Sequence, residues 1–136
     1  MNVNQVINHC LGLSLYPLQD FAGKNFNIVY DYIKRSSNQN PNKLLVPTIF
    51  ICVAADNSLS SAEWDFIASF VGGYSYDQAY ATACEFAGSD ARYAAKQFAD
   101  TLPYDVKEAL ICMCIAVLAV DKRLEGPEMA FLRSLL

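Results

Sequence analysis

Four acids recur at matched positions of this chain: Asp56 and Glu63, then Asp121 and Glu128, each glutamate seven residues beyond its aspartate. Carboxylates repeated in this way are the ligands that a hard divalent cation, calcium or magnesium, takes up. The spacing excludes an EF-hand. That loop presents oxygens at alternating positions and closes with a glutamate at about the twelfth, whereas Glu63 is the eighth residue counted from Asp56, and Arg123 stands at the third position of the second copy. A cation held by Asp56, Glu63, Asp121 and Glu128 would bind weakly, or between the two copies with acids from both.

Each acid also has a structural reading. Ser60 and Glu63 carry the S-x-x-E pattern of a capping box, in which serine and glutamate satisfy each other's backbone amides at a helix start. Glu128 follows Pro127 in a first turn, where the helix dipole favours a carboxylate. Asp56 and Asp121 close apolar helices, where the dipole disfavours a carboxylate by about 0.3–1 kcal/mol. Hydrogen bonds from the turn, or from the amides of the next helix, are expected to compensate.

The remaining reactive side chains offer little. Cys10, Cys52, Cys84, Cys112 and Cys114 sit among apolar or small neighbours, as free cysteines in a core do. Cys112 and Cys114 lie i, i+2 in a helical run, about 200° apart, and cannot chelate one ion. The paired C-x-x-C spacing of a zinc site is missing. Odd in number and with no signal peptide at the N-terminus, the cysteines imply a reducing, cytoplasmic compartment. His9, the single histidine, has no second histidine to support it as a base and is expected to be partly buried and structural. No Gly-rich phosphate loop, G-x-S-x-G or H-E-x-x-H is present, so no catalytic residue and no cofactor is expected.

Composition bounds what must position these residues. The chain is 136 residues long, 54% hydrophobic and 18% charged, which excludes disorder and fits one domain over residues 1–136. A net charge of −4 and a pI near 4.8 argue against a nucleic-acid partner. Two apolar runs, Leu44 to Ala55 and Ala109 to Val120, are 12 residues each. A membrane span needs about 20, so both read as buried helices and no transmembrane segment is expected.

Helical periodicity runs along nearly the whole chain. Val3, Val6, Ile7, Cys10 and Leu11 predict a first amphipathic helix, broken at Tyr16-Pro17. Phe26, Val29, Tyr30 and Ile33 predict a second over 26–35, and a polar loop follows over 36–42. Ser60 opens a helix that Gly72-Gly73 closes; further helices are expected over 75–86, 89–101, from Pro103 to near Asp121, and from Pro127. Tyr76, Tyr80, Phe86 and Phe98 are expected in the core. The fold class is all-α, a bundle of seven or eight helices.

The chain also repeats itself. Phe50–Val71 (FICVAADNSLSSAEWDFIASFV) aligns with Ile115–Leu136 (IAVLAVDKRLEGPEMAFLRSLL) at an offset of 65, with 6 of 22 positions identical. Each copy has an apolar helix ending one residue before an acid, a short turn, a leucine, and a glutamate opening the next helix. Two such helix-turn-helix elements predict paired apolar helices that cross in the core, close at Ala54 and Ala119.

The strings AADNSLSSAEWDFI and AVDKRLEGPEMAFL resemble the twice-occurring A-x-D-G-x-[ILV]-x-x-x-E element of the tellurite-resistance TerB-like domain family. The resemblance covers residues 40–136. It implies an all-helical TerB-like bundle without enzymatic activity, an interaction or sensing module in bacterial resistance to tellurite and related stresses. It further implies protein partners, some at the inner membrane face. Carried onto this chain, the family's candidate cation ligands are Asp56, Glu63, Asp121 and Glu128, and the alternative role is that of a calcium- or magnesium-binding regulator. The sequence departs from the family at the glycine after the aspartate, which is Asn57 in one copy and Lys122 in the other. A turn requiring positive φ there strains lysine by about 1 kcal/mol.

Overall fold

The computed structural model describes residues 1–37, 41–53, 60–71, 75–78, 81, 89–122, 124 and 126–136. Seven helices have both ends among them: α1 (Val3–Leu11), α2 (Leu15–Ser36), α3 (Pro41–Val53), α4 (Ser61–Ala68), α5 (Ser89–Asp100), α6 (Tyr104–Val120) and α7 (Pro127–Ser134). Residues 76–78 and 81 are helical as well, and no strand occurs among the described residues. The protein is all-α. No described helix is long and apolar enough to cross a membrane.

Helix α6 is the centre of the fold. Its run ALICMCIAVLAV has no polar face, so every side of it must be covered. All but Cys112 and Val120 of these twelve residues are buried. Helix α2 lies along α6 and makes the most extensive packing in the molecule, while α1, α3, α4, α5 and α7 cover the other sides. The two short helices pack in a crossed manner: α4 rests on α6, and α7 rests on α3 and α6.

Helix α2 begins eleven residues before the expected Phe26. Pro17 is its third residue rather than a break. The first four amides of a helix have no carbonyl partner, so a proline there forfeits no hydrogen bond. The apolar stripe extends backward accordingly, through Leu18 and Ala22 to Phe26, Val29 and Ile33. The chain turns instead at Gly12–Ser14, which leaves Leu11 exposed rather than on the buried face.

Pro127 starts α7 as expected, whereas Pro41 and Asn42, expected in the polar loop over 36–42, open α3, the proline supplying a φ already suited to the helix. Pro103 is the N-cap of α6. Helix α4 ends at Ala68, before the expected glycine pair. Gly72, Gly73, Ala54, Asn57 and the expected helix over 75–86, apart from 75–78 and 81, fall outside the described residues.

Lys122 has φ +57°, a positive value that glycine adopts without strain. Lys122→Gly should therefore stabilise the fold by about 0.5–1 kcal/mol. A urea titration would show this as a higher midpoint with an unchanged slope.

Candidate functional site

The capping box at α4 forms in full. The Ser60 amide donates to Glu63 Oε1 at 3.1 Å, and the Glu63 amide donates to Ser60 Oγ at 3.0 Å. Glu63 is completely buried, beneath a helix that also buries Phe66 and Ile67. Trp64 stacks on Phe50 of α3 with ring centroids 6.2 Å apart and meets Tyr76 edge-on at 6.1 Å. A second S-x-x-Q box, Ser75 with Gln78, starts the helical residues that follow.

The other three acids are placed differently. Glu128 is buried in the first turn of α7, as Glu63 is in α4. Asp121 is the C-cap of α6 and half-buried. The expected hydrogen bond from the following amides to its carboxylate is not made among the described residues. Asp56 lies outside the described residues. Among the described residues, no group of three or more histidine, cysteine, aspartate or glutamate side chains is placed to hold a metal ion. Glu63 spends one of its two carboxylate oxygens on the Ser60 amide.

The cysteines divide into two environments. Cys52, on α3, and Cys114, on α6, are fully buried. The Cys52 side chain, and burial after it, hold the Cys114 thiol well above the usual range. Cys10 is buried in the core as expected, and Cys112 is half-buried. Burial, then the charge of the neighbouring Cys112, pushes Cys10 up to about 11; burial, then Glu108, does the same for Cys112. Cys84 lies outside the described residues.

Cys112 is half-buried, not a core residue as expected, and it opens into a cleft of about 340 Å³. His9, Phe21, Val6 and Glu108 line the same cleft. His9 is exposed, its ring set edge-on against Phe21 at 5.1 Å. The N-terminal ammonium donates to the Tyr104 hydroxyl at 2.6 Å, and the Glu108 carboxylate beside it holds the phenol above its ordinary range. The cleft was hidden from sequence reasoning because its lining comes from α1, α2 and α6. The i, i+4 spacing of Glu108 and Cys112 was its one local sign.

The raised thiols carry a pH prediction. Cys10 and Cys112 move from 9.0 to about 11 in the folded state. Above the unfolded value the unfolded chain loses these protons first, so the stabilisation is complete below pH 9 and is lost as pH rises through 11. The melting temperature should fall across that window, and less steeply in a Cys10→Ala/Cys112→Ala variant. An equal slope in both proteins would contradict the assignment.

One corner of the surface is apolar without need. Leu11, Leu15 and Tyr16, where α1 passes into α2, are 50%, 51% and 80% exposed. Tyr76, expected in the core, is 38% exposed, while Phe98 packs against the core as expected; Tyr93 on α5 is 66% exposed. Tyr74 and Tyr80 lie outside the described residues.

Compared with known proteins, the chain matches no family model, no curated protein and no solved structure.

Proposed function

We propose that this chain is a TerB-like helical module that works by binding other proteins, without catalysis, in a bacterial stress response of the tellurite-resistance type. The repeated element is the premise, with α3 and α4 as one copy and α6 and α7 as the other. The crossed packing, α4 on the long helix of the other copy and α7 likewise, supports this reading, because a pseudo-two-fold pair exchanges contacts in that way. Its place of action would be the cytoplasm, including the inner membrane face.

The observation that carries the binding role is the exposed apolar corner of Leu11, Leu15 and Tyr16. Tyrosine with aliphatic neighbours is the composition of interaction surfaces, and half or more of each of these side chains faces water. Leu15→Ser/Tyr16→Ser should leave the melting temperature within about 2 °C of the parent, since surface changes stay near ±0.5 kcal/mol. In cells that depend on this chain for growth on tellurite, the same variant should lose most of the protection. Full protection by the variant would remove the corner from the function; equal growth of cells lacking the chain would remove the stress assignment.

A further inference from the structure

Gly23 stands inside α2, where glycine weakens a helix. Nothing among the described residues requires it there: an added Cβ would meet only the Phe70 Cβ, at 4.0 Å, an ordinary contact. What the missing side chain leaves open is a surface groove. Two clefts of about 360 and 280 Å³ share Asn27 and Phe70, so they form one groove along α2 from Tyr16 to Tyr30. The stripe of α2 that lines it is Tyr16, Gln19, Gly23, Asn27 and Tyr30, at spacings of 3, 4, 4 and 3. These spacings keep the five residues on one helix face. By type the stripe reads the same in both directions: tyrosine, carboxamide, glycine, carboxamide, tyrosine.

A face that reads alike in both directions matches a reversed copy of itself, which is what a two-fold axis demands of an interface. Neither a small ligand nor an unrelated helix would require that symmetry. We propose that the occupant of this groove is α2 of a second copy of this chain, antiparallel and crossing at Gly23. With the axis through Gly23, Tyr16 lies opposite the second copy's Tyr30, and Gln19 lies opposite the second copy's Asn27. Each carboxamide both donates and accepts, so the Gln–Asn pairs exchange hydrogen bonds. The tyrosine rings pack edge-on or offset. Charge agrees with this register. Lys24 and Asp20 pair at 3.2 Å along one helix yet stay 75% and 69% exposed. In the reversed pairing the second copy's Asp20 comes within two positions of Lys24, about 3 Å along the helix axis, so opposite charges meet on both sides of the two-fold. Glycine at the crossing lets the two backbones approach closely. The pairing does not depend on the binding role proposed for the corner of Leu11, Leu15 and Tyr16, with which it shares only Tyr16.

The test is sedimentation equilibrium of the full chain. One helix face is small beside the roughly 800 Å² per partner of a standard interface, so a weak pair is expected, with a Kd of about 10–100 µM. Across concentrations that span this range, the mass should rise from 15.1 kDa toward twice that value and no further. Gln19→Glu/Asn27→Glu sets carboxylates opposite each other on both sides of the axis and should raise the Kd by at least about tenfold. Gln19→Glu/Asn27→Lys sets opposite charges in the same register and should return it to within about threefold of the parent. Gly23→Gln improves the helix, so it should melt no lower than the parent at low concentration while losing the dimer; it serves if a charged variant does not fold. All three variants leave Tyr16 in place, so their outcome is separate from that of the corner. A chain monomeric throughout, a mass beyond the dimer, a dimer as tight in Gln19→Glu/Asn27→Glu as in the parent, or no recovery in Gln19→Glu/Asn27→Lys would each overturn the proposal.

Discussion

Leu118→Ala is expected to destabilise the fold by about 2–5 kcal/mol, the range for emptying a fully enclosed leucine site. Leu118 has no exposed surface and lies on α6, which other helices cover on all sides, so no neighbour is free to collapse into the space. At roughly 3–4 °C per kcal/mol for a domain of this size, the melting temperature should fall by about 6–20 °C. Ala119→Leu tests the opposite error at the next residue. Ala119 is 8% exposed at the end of α6, and three added carbons there should overpack by about 1–3 kcal/mol. Leu11→Ala is the control, because half of that side chain already faces water. A Leu118→Ala protein melting within 2–3 °C of the parent would mean that α6 is not the hub of the core.

What could be read in advance was local chemistry. The S-x-x-E string at Ser60 forms its capping box because both hydrogen bonds lie within four residues and need nothing from elsewhere. Likewise the doubly apolar run of α6 could only be a covered helix. Lys122 was flagged as strained because one backbone position decides it, and its φ is positive. Pro17 misled for a reason equally local: a proline signals a break inside a helix and a start within the first turn, and the pattern before Tyr16 does not distinguish them. Contacts between distant helices left no trace in the sequence. His9 sharing a cleft with Cys112 depends on how α1 and α6 cross. Exposure of Tyr93 is of that kind too, since helical spacing marks a face without saying which neighbour covers it.

Glu63 separates the two readings of the acids, since a cap and a cation ligand ask different things of the same side chain. A cap needs only an oxygen to accept the Ser60 amide, 3.1 Å away, and glutamine supplies one. Calcium or magnesium needs the negative charge, which glutamine lacks. Glu63→Ala should lower stability by about 2–3 kcal/mol, because it strips a partner from the Ser60 amide and leaves space at a fully buried position. Glu63→Gln should recover at least half of that loss. Under the capping reading, calcium leaves the melting temperature of the parent and both variants unchanged beyond the effect of ionic strength. Under the cation reading, the parent alone gains stability with increasing calcium, by mass action on the folded state, and Glu63→Gln abolishes the gain. Asp121→Asn extends the comparison to the second copy: its carboxylate stands at the C-terminal end of α6, where the dipole opposes negative charge. Without a cation, neutralising it should be neutral or stabilising by a few tenths of a kcal/mol. With one, it should cost the same calcium response that Glu63→Gln removes. The expected result is no calcium response in any of the four proteins, with Glu63→Ala the least stable of them; a saturable rise in the parent alone would transfer the acids from the scaffold to a binding site.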